Sequence, residues 1–60
     1  MKYELHCEFY KMGFITLTYY SPDIDQAKSK AKDILGLLEA KGDNAFRTTV
    51  LDTEDNEHEI

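Results

Sequence analysis

The chain has 60 residues and a mass of 7.0 kDa, with seven basic and twelve acidic residues for a net charge of −5. A chain this short hides only about 60% of the surface its unfolded form exposes, so a compact core, a staple or a partner must supply stability. Cys7 is the one cysteine, which excludes an intrachain disulfide and a four-cysteine zinc site, and the acidic balance argues against a general nucleic-acid binder.

Residues 2–10 alternate. Tyr3, Leu5, Cys7 and Phe9 fall on one side, and Lys2, Glu4, His6, Glu8 and Tyr10 on the other. Period two with one apolar face predicts a half-buried strand. Lys11, Met12 and Gly13 suit a short hairpin loop, with glycine at the position that needs φ > 0. Residues 14–20 are β-branched and aromatic and predict a second strand. Ile15, Leu17 and Tyr19 share one face; Phe14, Thr16, Thr18 and Tyr20 share the other. Leu5, Cys7, Phe9, Ile15 and Leu17 are expected to point inward.

Ser21-Pro22-Asp23 ends that strand and opens a helix over about residues 24–40. Asp23 with Gln26 offers a capping box, and Ser21 with Pro22 at the first helical position is a second possible start. Ile24, Ala27, Ala31, Ile34, Leu35 and Leu38 form a stripe about 100° wide that faces a core. Lys41 and Gly42 are expected to close the helix, as a cation at its negative end and a glycine just past its cap. Lys28, Lys30 and Lys32 flank the apolar stripe and snorkel around it. Ser29, Asp33, Gly36, Leu37 and Ala40 form a bare outer face, and Gly36 costs about 1 kcal/mol against alanine inside a helix.

Residues 45–52 predict a third strand, with Phe46, Thr48 and Val50 on one face and Arg47, Thr49 and Leu51 on the other. Asp52 to Glu57 has turn chemistry, with Asn56 suited to a left-handed conformation, and residues 57–60 resume alternation as a short fourth strand. The reading is one α+β domain over residues 1–60. Its plan is ββαββ, an antiparallel sheet with one helix packed on one face.

The charge has a location. Residues 1–51 carry seven acids and seven bases, so the whole −5 lies in Asp52, Glu54, Asp55, Glu57 and Glu59. An acidic edge strand discourages sheet-to-sheet aggregation and can meet a basic partner. The sheet face away from the helix is expected to carry Tyr10, Phe14, Tyr20 and Arg47, with Thr16, Thr18 and His6. Aromatics with an arginine suit a protein interface or, less well without basic neighbours, stacking of single-stranded bases. His6 and Cys7 are sequence neighbours in a strand, so they leave opposite faces and cannot chelate one ion. Asp52, Glu57, His58 and Glu59 lack the ligand count and loop pattern of a calcium site. No phosphate loop, Ser-His-Asp arrangement or zinc spacing occurs, and so small a frame leaves little room for a pocket of about 300 Å³ or more. The expectation is a protein that is not an enzyme and takes no cofactor or metal. No run reaches the ~18 apolar residues of a membrane span, and no apolar leader follows Lys2, so a cytoplasmic protein is expected.

The segment from Asp23 to Gly42, following a hairpin, resembles the helix of small phage-encoded proteins of ββαβ or ββαββ plan, among them single-domain anti-CRISPR and host-takeover proteins. Ile24, Ala27, Lys28, Ala31 and Ile34 carry the resemblance, with the turn from Val50-Leu51-Asp52-Thr53 to Glu57. The hairpin and helix are also similar to those of HicB-type antitoxins, although the third strand expected before that helix is absent here. The resemblance implies a protein-binding inhibitor of a larger complex, acting by steric block or by mimicking the charge of DNA. It transfers no functional residue. The alternatives are a homodimeric module joined by the open sheet face or an edge strand, and a single-stranded nucleic-acid binder through Tyr10, Phe14, Tyr20 and Arg47.

Overall fold

The computed structural model describes all 60 residues. Five elements follow in chain order: β1 (Lys2–Phe9), β2 (Gly13–Tyr20), α1 (Ile24–Glu39), β3 (Ala45–Leu51) and β4 (Glu57–Glu59). The strands make one antiparallel sheet in the order β2-β1-β3-β4, which puts β1 inside and leaves β2 and β4 as edges. Since β2 and β3 both run against β1, they are parallel to each other, and α1 carries the chain over β1 from one to the other. Every boundary falls within a residue of its sequence reading. Tyr10, Ala40, Asp52 and Ile60 drop out of their elements, and Gly13 joins β2.

Alternation in β1 builds the core. Tyr3, Leu5, Cys7 and Phe9 are buried, together with Tyr19, Val50 and the helix residues Ala27 and Ala31. Small alanines let the helix backbone approach the sheet closely. Ile24, Ile34, Leu35 and Leu38 pack around them, as the stripe predicts. The Tyr19 hydroxyl donates to the Ala27 carbonyl at 2.7 Å and ties β2 to the first turns of the helix. The Asp23 carboxylate caps α1 by accepting from the Gln26 backbone N–H at 2.8 Å. That decides between the two possible helix starts: Ser21 instead continues the ladder through backbone bonds with Met1.

Five sequence expectations need correction. Leu17 lies on the inner face, opposite Leu5, yet it is 36% exposed, because it sits on an edge strand that the helix does not cover. Phe46 does not join Thr48 and Val50. The β1–β3 register shifts between Glu8 and Phe9, so the alternation breaks, and Phe46 turns out to pack its ring on Tyr10 at 4.8 Å. The left-handed residue of the last turn is Asp55 (φ 62°), not Asn56. Lys41 lies beyond the last helical turn, and the positive-φ glycine Gly42 (φ 93°) stands two residues past the cap Ala40. Shallow room for a ligand does exist: an open groove of about 450 Å³ runs beside β3 where β4 stops short, lined by Phe46, Arg47, Glu57 and Glu59 among others.

Candidate functional site

Register assigns the faces, because residues directly opposite in an antiparallel pair share one side of the sheet. The row Thr18–Glu4–Leu51–Glu57 and the row Thr16–His6–Thr49–Glu59 both lie on the face away from the helix. Phe14, Glu8 and Arg47 form a third row on that face. The outer face therefore mixes its aromatics with four acids, Glu4, Glu8, Glu57 and Glu59, against two bases, Lys2 and Arg47. Arg47 reaches toward Glu8, 3.6 Å away, in an exposed pair. His6 is held between the Glu4 carboxylate, 3.0 Å away, and the edge of Phe14, with ring centroids 5.7 Å apart.

Apart from Asp52, the sequence-predicted partner residues divide into three groups. Tyr10, Phe14 and Arg47 gather at the end of the sheet near the first hairpin loop, where Phe46 joins them against Tyr10. Tyr20 stands at the other end of β2, opposite Lys2. Glu54, Asp55, Glu57 and Glu59 are exposed at the β3–β4 hairpin and form no ion pair.

Asp52 behaves differently from its acidic neighbours. One carboxylate oxygen accepts from the backbone N–H groups of Glu54 (2.9 Å) and Asn56 (3.0 Å), and the other lies 2.9 Å from His58 Nε2. The His58 hydrogen bond and the Asn56 and Glu54 N–H groups outweigh partial burial and pull its pKa from 3.8 to about 2. His58 pairs with Val50 and so shares the helix side of the sheet, opposite to Glu57 and Glu59. The cation cluster of Asp52, Glu57, His58 and Glu59 considered from the sequence is thus split, with Asp52 and His58 together and Glu57 and Glu59 on the opposite face. No group of three His, Cys, Asp or Glu side chains converges in a way that could hold a metal ion.

The sequence reading missed Asp43. This buried carboxylate accepts from the backbone N–H groups of Met12 (2.7 Å), Asn44 (2.8 Å) and Lys11 (3.0 and 3.1 Å). Burial alone would raise its pKa, but these donors and nearby Lys11 hold it below the ordinary value. It closes the first hairpin loop from 31 residues away. The local signal was Gly42-Asp43-Asn44, which reads as turn chemistry and names no distant partner. Cys7 is buried between sheet and helix, and burial first, then Glu39, raises its thiol pKa. So placed, the thiol packs as a small apolar side chain of the core.

No helix is long and apolar enough to cross a membrane. Comparison with protein-family models, curated proteins and solved structures found no match.

Proposed function

We propose that this protein is a small binding module without catalytic activity, whose acidic β3–β4 hairpin meets a basic surface on a larger macromolecular complex. The observation that carries the reading is the hairpin itself. Four exposed acids without ion-pair partners, Glu54, Asp55, Glu57 and Glu59, stand on a turn that Asp52 and His58 hold in shape. Unpaired charge on a preorganised turn raises the association rate with an oppositely charged surface and loses little order on binding. A basic surface of this kind often holds nucleic acid, so the hairpin would compete with phosphate. With the resemblance to phage-encoded proteins, this makes an inhibitor of a host or defence complex, acting in the host cytoplasm, the specific form of the proposal.

The outer face supports single-stranded nucleic acid less well. Phe14 and Tyr20 are six residues apart on one strand, about 20 Å, too far to stack neighbouring bases. Glu4, Glu8, Glu57 and Glu59 share the face and would repel phosphate.

The test separates charge from folding. Asp52 stays in place, and Glu54→Gln, Asp55→Asn, Glu57→Gln and Glu59→Gln are combined. Association with an oligo-arginine peptide at low salt is followed by amide chemical shifts. Perturbation centred on residues 53–59, with an association rate roughly ten-fold lower in the variant, is the expected result. Equal binding by the variant, or perturbation elsewhere, overturns the reading.

A further inference from the structure

The two edges of the sheet are protected unequally. The β4 edge is three residues long and carries Glu57 and Glu59. The β2 edge is eight residues long, and no charged residue occurs between Lys11 and Asp23. Its side chains are β-branched, aromatic or leucine after the initial glycine, and no proline or bulge interrupts its pairing with β1. Natural edge strands are normally blunted by charge, proline, bulges or shortness, and β2 has none of these. Phe14, Leu17 and Tyr20 are exposed along it.

We propose that β2 pairs antiparallel with β2 of a second copy of this chain, forming an eight-stranded sheet with both helices on one face. Charge placement favours a second copy as the occupant. The net −5 lies at the opposite edge, and joining two sheets through β2 sets the acidic hairpins about seven strand spacings apart, roughly 34 Å. That exceeds the screening length of about 10 Å at 0.1 M salt, so the acids do not oppose association.

The side chains also select a register. A two-fold pairing that keeps inner and outer faces aligned can centre on Leu17. Leu17 then meets the partner's Leu17, which covers the one inner-face leucine that the helix leaves open. Ile15 meets the partner's Tyr19, and Phe14 meets the partner's Tyr20 on the outer face. Extended into β1, the same rows line up Glu8 with the partner's Lys2 and Glu4 with the partner's His6. Centring on Thr16 instead would line up Glu8 with the partner's Glu4. Centring on Thr18 would line up Glu4 with its own copy. Of these three registers only the Leu17 one seats Leu17 on its own copy, and it alone lines up no acid with an acid. The pairing is independent of the acidic-hairpin reading, which it leaves exposed at both ends of the dimer.

Sedimentation equilibrium at up to roughly 500 µM, a range that registers even sub-millimolar association, tests the pairing. The wild-type chain should dimerise. Leu17→Lys, which would set two lysines side by side at the two-fold, should yield monomer with an unchanged circular dichroism spectrum, while Thr53→Lys, in the β3–β4 turn away from the joint, should leave the dimer intact. A monomeric wild type, or a dimer that survives Leu17→Lys, overturns the proposal. For the register, Leu17→Cys in a Cys7→Ala background should form a covalent dimer on mild oxidation, because directly opposite positions lie within disulfide reach. Thr16→Cys in the same background should cross-link far less, since it faces the partner's Thr18. The reverse order of cross-linking overturns the Leu17 register.

Discussion

The two hairpins of this protein solve the same closure problem with a carboxylate, but from different distances. In the β3–β4 hairpin the carboxylate is Asp52, the residue at the start of the turn, so closure is local. In the β1–β2 hairpin it is Asp43, which comes from beyond the helix and fastens the loop to the far side of the fold. Their strands differ in the opposite sense: β4 is short and acidic, while β2 is long and uncharged. The hairpin with the better-anchored loop is thus the one with the undefended edge. Anchoring a loop and guarding an edge are separate physical tasks, done by different residues.

The largest expected effect sharpens the contrast within one cross-strand pair. Leu5 and Leu17 are directly opposite, one fully buried and the other open. Leu5→Ala should cost about 2–5 kcal/mol in urea denaturation, enough to unfold much of so small a domain. Leu17→Ala, measured at low micromolar concentration, should cost under about 1 kcal/mol. Equal losses would mean that the helix covers β2 more completely than the geometry indicates.

Next comes Asp43→Asn against Asp52→Asn. The first should lower the melting temperature more, because three backbone N–H groups in a tertiary junction lose a charged acceptor. The second should loosen one exposed turn, visible as faster amide exchange at Glu54 and Asn56. A larger effect at Asp52 would break the distinction between tertiary and local closure.

Tyr19→Phe removes the hydroxyl that tacks β2 to the Ala27 carbonyl and should cost about 1 kcal/mol, read from the shift of the urea midpoint.

The smallest effect is a pH dependence. Asp52 has a folded pKa near 2 against 3.8 ordinarily, so its contribution is fully present above about pH 4 and is lost as pH falls toward 2. Asp43 is shifted in the same direction. Stability should therefore decline with acidification below pH 4, and Asp52→Asn should flatten part of that decline. A decline of unchanged size in the variant would remove Asp52 as a cause.

Much of this was legible from the chain because it rests on local periodicity. The strict alternation of Tyr3, Leu5, Cys7 and Phe9 has one physical solution, a strand with one buried face. The helix stripe and the Asp23 cap are equally local. The acidic hairpin was legible as a charge count, and its five acids looked equivalent. They are not, because only the folded turn brings Asp52 onto its own backbone and onto His58.

What the sequence by itself determined is the list of elements, the side of β1 that is buried and the end of the chain that holds the net charge. Each follows from spacing of one or two to four residues or from simple counting. Tertiary structure decided the order β2-β1-β3-β4, and with it which strands are edges. It also decided the bulge that sends Phe46 to Tyr10, the exposure of Leu17 and the reach of Asp43 to Met12. These depend on contacts between residues far apart in the chain, which local pattern does not encode. The uncharged run from Met12 to Pro22 was plain in the sequence; only its place at the rim of the sheet turns it into a surface.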